Sequence, residues 1–428
     1  MADTKSPELE TITKAPAAAP PPPDSGATET FIIGAVDESI RPFSFRASDE
    51  QLADLKRRIA ATRWPDRELV DDDTQGVRLA TIQKLADFWL NQHDWRKVEA
   101  QINSYPNFIT NIDGVDIHFI HAKSKHEGAL PVIVTHGWPG SVIEQLKIID
   151  RLTDPTAHGG TEADAFDVVV PSMPGYGFSG KPAEVGWTPD KIAQVWDKLM
   201  SRLGYASYVA QGGDWGALIT DQLGVQAPAG LLGIHTNMAG AIPPEVDAAA
   251  FAGAPPPDGL DEEERRSFDH VSFFYKHGLG YANEMGNRPQ TLYGIEDSPV
   301  GLAAWIIDHD IWTYRQITRV FDGEQLGLTR EDIVDNITLY WLTRTGVSSA
   351  RLYWENKLAF FAPKGVKVPT VVSAFPEEIC PIPKKWAEKA YSNLIFYRQH
   401  PEGAHFAAWE QPEALVDDMR QGFRQLRN

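Results

Sequence analysis

"VAQGGDWGALITDQLG", residues 209 to 224, sets an apolar run ahead of a glycine-flanked turn, with an amphipathic helical segment behind it. The turn Gly212-Gly213-Asp214-Trp215-Gly216 follows the pattern small-x-nucleophile-x-small, in which a strand reverses into a helix within a few residues. So sharp a reversal requires small flanking residues and leaves the central side chain exposed and strained. Where many hydrolases carry serine, this chain carries aspartate. Taken alone, the string also fits a tight turn with a helix-capping aspartate, so the rest of the chain has to decide.

Around this turn, "LPVIVTHGWPGS", a helix from Val142, "FDVVVPSMPGYGFS", a helix around "KIAQVWDKLMSRLG", and "LLGIHTNM" alternate buried strands with helices. Such alternation predicts a mostly parallel sheet with helices on both faces. From about 241 to 365 it lapses into Pro-rich loops and helices such as "SPVGLAAWIIDHDIWTYRQI". "KVPTVVSAF" and the final "LIFYRQHPEGAHFAAWEQPEALVDDMRQGFRQL" restore it, so the lapse reads as an insertion over the sheet. Upstream, Leu52, Leu55 and Ile59 fall at helical spacing behind an N-cap at Ser48 or Asp49. "TIQKLADFWLNQHDWRKVEAQI" reads as a second amphipathic helix, and "FITNIDGVDIHFIHAKS" as a hairpin turning at Asp113-Gly114. The expected plan is an α/β-hydrolase fold: a disordered Pro/Ala-rich tail over 1–30, an N-terminal helical arm over 31–108 packing on the core, core over 109–240, a helical cap over 241–365, and the rest of the core over 366–428.

Composition narrows the function. The chain has 428 residues, 42% apolar, with 13 Trp, enough for a large core and an apolar pocket. Its 59 acidic against 40 basic residues disfavour nucleic acid and suit a small uncharged ligand. A single cysteine, Cys380, permits no internal disulfide and reads as a small buried side chain. No stretch approaches the 18 or so apolar residues of a membrane span, and residues 1–30 hold no signal-like apolar run. The expectation is a soluble, cytoplasmic protein.

In this fold the triad follows the chain order nucleophile, acid, histidine. Downstream of Asp214 come "SAFPEEICP", with acids just past a buried strand, and "GAHFAAWEQPE", with a histidine in a loop before the last helix. Glu378 and His405 therefore fall in the expected order. The backbone N–H of Trp138 in "THGWPGS" and that of Trp215 after the nucleophile are candidates for a two-donor oxyanion hole, and His136 reads as structural. A serine must lose a proton to attack a carbonyl, whereas a carboxylate is already anionic and can displace a leaving group at saturated carbon. Water activated by His405, with Glu378 fixing its tautomer, would then hydrolyse the alkyl ester. The leaving group is either an epoxide oxygen, which needs an acid above the carboxylate, or a halide, which needs N–H donors. Phenols suit the first role, and the insertion holds Tyr275, Tyr281, Tyr293, Tyr314, Tyr340 and Tyr353; spacing does not choose among them.

The motifs "RWP", "HGWPGS", "QGGDWG", "DSPVGLAAW", "LYW", "AFPEEI" and "HFAAWEQPE" together resemble the microsomal-type epoxide hydrolases, a family that includes the juvenile hormone epoxide hydrolases of insects and soluble bacterial members. The resemblance runs from about residue 42 to the C-terminus. It implies Asp214 as nucleophile, His405 as base, Glu378 as charge-relay acid with Glu377 as fallback, and Tyr281 and Tyr353 as the pair that polarises the epoxide. It implies no cofactor and no metal. Two departures stand out: Gly403-Ala404 replaces the two glycines common before the histidine, and the membrane-spanning N-terminus of the animal enzymes is absent. The expected partners are a small apolar epoxide, aryl or terpenoid given the aromatic lid, and water, with a homodimer left open.

Other readings carry less. His118 and His121 lie three apart in a strand and point to opposite faces, which argues against a metal site. "GYGFSG" lacks a phosphate-binding lysine and reads as a loop beneath the site. The acidic runs Asp71–Asp73 and Glu262–Glu264 read as solvated faces. The rivals are a haloalkane dehalogenase, which shares the nucleophile and is disfavoured by the tyrosine pair, and a non-catalytic small-ligand receptor of the same fold.

Overall fold

The computed structural model describes residues 37–427, so the segment read as a tail lies outside the described residues. Among these residues, one sheet contains β1 (Arg41–Pro42), β2 (Asn107–Ile112), β3 (Val115–Ala122), β4 (Leu130–Thr135), β5 (Phe166–Pro171), β6 (Tyr208–Gly212), β7 (Leu231–Thr236), β8 (Thr370–Ala374) and β9 (Leu394–Gln399). Their spatial order is β1-β2-β3-β5-β4-β6-β7-β8-β9. Pairing is antiparallel from β1 through β5 and parallel from β5 through β9. The β2–β3 hairpin closes with Ile112 opposite Val115, and Asp113 and Gly114 both take positive φ, 51° and 87°, as a primed two-residue turn requires.

The central strands are Val- and Ile-rich and buried on both faces, whereas the edge strand β9 is only partly buried and carries Arg398 and Gln399. Helices Leu146–Thr153 and Pro412–Phe423 pack together, as do Pro189–Arg202 and Trp215–Gln226, forming the layers that cover the sheet. The helix Trp215–Gln226 is buried over Trp215–Gly224, so its amphipathic reading gives way to an apolar surface nearly all round.

Several sequence expectations need correction. The single helix read over 81–102 is two, Leu79–Asn91 and Trp95–Ser104, because the Asp94 side chain caps the second by accepting from Arg96 N. The helical run "SPVGLAAWIIDHDIWTYRQI" is likewise split into Pro299–Ile307 and Ile311–Phe321, where Asp310 accepts from Thr313 N at 2.8 Å. The N-terminal helix Asp49–Ala60 starts as read, with a reciprocal capping box between Ser48 and Gln51. Its neighbours differ from expectation: the arm helices pack mainly on the helical block between β7 and β8 rather than on the sheet. Leu85, Phe88 and Trp89 are buried there, and the Tyr314 hydroxyl accepts from Arg78 N at 2.8 Å. The arm joins the sheet itself through β1.

Glu264 also departs from its reading as part of a solvated face. It is buried, accepts from Trp386 Nε1 at 2.9 Å and closes a capping box with Asp261. Cys380 is buried and unpaired. His118 and His121 serve separate polar groups, Ser172 and Asn107 for the first and the Tyr205 hydroxyl for the second.

Register sets up the site. Parallel pairing puts Thr135 of β4 beside Gly212 of β6, so the loops after both strands leave the same edge side by side. Close backbone contact explains the glycines: a Cβ on Gly216 would lie 2.0 Å from the Thr135 carbonyl oxygen, and one on Gly212 would lie 2.1 Å from that of Gly216. A rigid backbone cannot give way as a side chain can. Gly216→Ala is therefore expected to cost about 1–3 kcal/mol or more, seen as a lower midpoint in urea unfolding; an unchanged midpoint would show that the turn can open.

Candidate active site

Asp214 sits at φ 52° and ψ −126°, an energetically unfavourable conformation for a non-glycine residue held by the strand before it and the helix after it. One oxygen, Oδ1, accepts from Trp138 N at 2.7 Å. The loop that carries Trp138 stays close because Gly137 has no side chain: a Cβ there would lie 2.3 Å from Asp214 Cβ. His136 anchors that loop, its Nδ1 bonding to the Gly137 carbonyl and its Nε2 accepting from Met173 N. Burial pushes the His136 imidazole down to about 4, so it stays neutral and structural.

The second oxygen, Oδ2, faces two imidazoles. His405 Nε2 is 3.5 Å away and His309 Nε2 is 3.9 Å away. His405 Nδ1 bonds to Glu378 Oε1 at 2.7 Å, and both residues are buried. Glu377 points outward, paired with Gln316. Burial would lower the His405 pKa, but the adjacent Glu378 and Asp214 carboxylates outweigh it and hold the ring well above the ordinary imidazole range. For Asp214, burial raises the carboxyl, while His405, His309 and the Trp215 backbone N–H together bring it below its ordinary value. Asp214 is thus an anion at neutral pH, partnered by an imidazolium.

Across from this pair lie Tyr281, on helix Gly280–Asn287, and Tyr353, on helix Gly346–Glu355; the two helices pack together. Their rings meet edge to face at 5.8 Å. Trp138 stacks on Tyr281 at 4.9 Å, and Trp215 meets Tyr353 at 4.7 Å. Burial, with Asp214 nearby, raises both phenols well above their ordinary range, so both keep their protons. The other insertion tyrosines are engaged elsewhere: Tyr275 with Asp247, Tyr314 with Arg78 N, Tyr340 with the Gly140 carbonyl, while Tyr293 is exposed. Trp138, Trp215, Tyr281, Tyr353, Glu378 and His405 are thus gathered around Asp214, while Glu377 and the other four tyrosines are not.

A surface groove of about 750 Å³, lined by Trp187, Arg288 and Trp354, contains none of these groups. A smaller cavity, about 310 Å³, is lined by Tyr281, Asp310, Phe274 and Trp312, and so reaches one of the two phenols.

The epoxide hydrolase N-terminal family model matches residues 40–145, and the alpha/beta hydrolase fold model matches 131–291. A relative from Stigmatella aurantiaca (strain DW4/3-1) is 48% identical over 390 residues, covering 91% of this chain and 86% of its own. The chain belongs to the microsomal-type epoxide hydrolase family. Epoxide hydrolase 1 of Oryctolagus cuniculus is 38% identical over 408 residues, with 90% of this chain and 89% of the relative covered. The crystal structure of juvenile hormone epoxide hydrolase from Bombyx mori superposes with a TM-score of 0.81 at 30% identity, over 92% of this chain and 96% of that one. Aspergillus niger epoxide hydrolase gives a TM-score of 0.76 at 31% identity, over 91% and 97%. Among the described residues no helix is long and apolar enough to cross a membrane.

Two features of the site were not singled out in sequence. His309 sits in the polar triplet Asp308-His309-Asp310 between Ile307 and Ile311; three polar residues interrupting an apolar helical run were the available signal. Glu410, in the quoted "HFAAWEQPE", holds the histidine loop: its oxygens accept from Ala404 N at 2.9 Å and Phe406 N at 3.0 Å, one on each side of His405. Burial pushes its carboxyl up to about 7. The Gly403-Ala404 departure is accommodated, because only Gly403 takes positive φ, 111°, where a Cβ would lie 2.6 Å from Phe375. Glu410→Ala strands two buried N–H groups, at roughly 1–3 kcal/mol each. The expected result is faster amide exchange at Ala404 and Phe406 and a lower unfolding temperature; unaltered exchange would show that the loop holds without Glu410.

Proposed function

We propose that the chain hydrolyses epoxides to vicinal diols through a covalent ester on Asp214, without a cofactor. The observation that carries this reading is the division of the Asp214 carboxylate: Oδ1 is held by a backbone N–H, while Oδ2 is free to attack near two protonated phenols. Oδ2 attacks a ring carbon and the ring C–O bond breaks. The electron pair goes to the ring oxygen, which takes a proton from Tyr281 or Tyr353. The helical block over 241–365 acts as the cap that delivers both phenols. A cytoplasmic location accords with the single cysteine.

Ester formation removes the negative charge of Asp214, one of the two carboxylates that keep His405 protonated. With only Glu378 left, His405 gives up its proton, which restores the phenol that protonated the ring oxygen, and becomes the base for the second step. It takes a proton from water, the hydroxide adds to Asp214 Cγ, and the resulting oxyanion lies at Oδ1 against the N–H groups of Trp138 and Trp215. Breaking the Cγ–Oδ2 bond releases the alkoxide, which takes the proton from His405. The new Asp214 carboxylic acid then gives its proton to His405, which restores the starting ion pair. Oδ2 leaves with the diol, and the water oxygen remains in Asp214.

His405→Gln should form the ester and not hydrolyse it. On exposure to styrene oxide, intact-protein mass is expected to rise by the whole epoxide, mapped to the peptide bearing Asp214. A gain from a bromoalkane alone would move the chain to dehalogenation, and no adduct from either would overturn the covalent mechanism. Tyr281→Phe and Tyr353→Phe should each slow ester formation by about 10²-fold, within the usual range for general acid catalysis, and the double variant by more; an unchanged alkylation rate in the double variant removes the phenols from the reaction. As for pH, Asp214 is held below its ordinary value, so ester formation should stay flat on acidification to about pH 5. Ester hydrolysis should rise with pH as His405 loses its proton. Stopped-flow traces of each phase separate the two, and parallel profiles would contradict the division of roles.

A further inference from the structure

The break at Asp308-His309-Asp310 brings a second imidazole–carboxylate pair to the nucleophile. His309 is 1% exposed, and its Nδ1 lies 3.0 Å from Asp310 Oδ2. Asp310 is itself fixed as the cap of the following helix through Thr313 N. With Nδ1 committed to that carboxylate, Nε2 is the ring nitrogen left to carry a lone pair. Nε2 has no protein hydrogen-bond partner and faces Asp214 Oδ2 at 3.9 Å. His405 is built the same way: Nδ1 on Glu378, Nε2 without a direct hydrogen-bond partner, facing the same oxygen at 3.5 Å. The two rings lie 4.6 Å apart, and His309 also lies 5.2 Å from Tyr281. A buried acceptor left without a partner costs about 1–3 kcal/mol, so a ligand with a hydrogen to donate is called for.

The spacing indicates which ligand. One nitrogen of each ring and one Asp214 oxygen lie within 4.8 Å of one another. A zinc ion bonded at about 2.0–2.1 Å would draw such atoms to roughly 3.3 Å apart, tighter than the 3.9 Å between His309 and Asp214. A water molecule donating both hydrogens at about 2.8 Å wants its two acceptors roughly 4.4 Å apart. Once the ester has formed and His405 has lost its proton, two imidazole lone pairs converging beside Asp214 are suited to that task.

We propose that His309 is the second acceptor of the hydrolytic water. His405 Nε2 takes one hydrogen as the proton to be removed; His309 Nε2 holds the other, which turns the oxygen lone pair toward Asp214 Cγ. The proton balance is unchanged, because His309 orients the water and keeps no proton from it. Asp310 is the positioning residue that fixes the tautomer. This assignment rests on the ester mechanism above and concerns only its second step.

The test separates the two phases of a single turnover with styrene oxide: growth of the adduct by intact mass, then its decay. His309→Phe keeps a ring of similar size and removes the acceptor. Adduct growth is expected to stay within about threefold of wild type, and adduct decay to slow by about 10- to 100-fold, as removal of a group that orients a reactant does. His309→Gln, whose side-chain oxygen can accept a hydrogen bond, should recover part of the decay rate. Decay at the wild-type rate in His309→Phe would overturn the proposal. So would equal slowing of both phases, or Gln and Phe variants that decay alike, since each of these describes a residue that only maintains shape. If His405→Gln forms no adduct at all, the ester mechanism itself falls, which is a different result.

Discussion

The parallel pairing of β4 with β6 is the constraint on which the site depends. It sets Thr135 against Gly212, so that the loop after one strand and the turn after the other leave the sheet in contact. Three consequences follow from that proximity. Gly216 cannot carry a side chain, Gly137 cannot either, and the Trp138 N–H is delivered to Asp214 Oδ1 at 2.7 Å. The unfavourable backbone of Asp214 persists because strand, helix and loop all over-determine it. A shift of one residue in this register would move the donor away from the carboxylate.

Around this point charge is organised in a buried region. Asp214, His405 and Glu378 are all buried, where an unpaired charge is costly and a paired one interacts strongly. Each ionised group has a partner, and the partners form a chain from Glu378 through His405 to Asp214. In the proposed mechanism, ester formation would neutralise the carboxylate and change the charge balance at His405. The same group would then act as counter-ion in one step and as base in the next. Glu410 adds a mechanical element, clasping the backbone on both sides of the histidine.

The arm and the helical block hold the other half of the site. Tyr281, His309 and Tyr353 all come from the block, and the arm packs on that block more than on the sheet. The exposed ion pairs between them, such as Arg58–Asp297, contribute little. Burial of Leu85, Phe88 and Trp89 contributes more, because each removes a large apolar surface from water. The arm's loop reaches the triplet that carries His309, with the Gly76 backbone beside the Asp308 carboxylate. This contact ties the N-terminal segment to the block that bears the phenols.

Local pattern determined much on its own. The central strands were legible as runs of Val and Ile, the hairpin as Asp113-Gly114, and the nucleophile turn as glycines about an aspartate, because each depends on neighbours in the chain. The chain order of Asp214, Glu378 and His405 was legible for the same reason: each stands in the loop after its own strand. Two helical runs were read as continuous because apolar periodicity spans the interruptions; Asp94 and Asp310 end them by side-chain caps that compete with the helix backbone. Glu378 over Glu377, and Tyr281 and Tyr353 among six tyrosines, were implied by the family resemblance and not by spacing; that they share one buried volume, and that His309 arrives at the nucleophile, are matters of tertiary structure. These depend on which side chains from distant segments share one buried volume, and spacing along a chain carries no information about that distance.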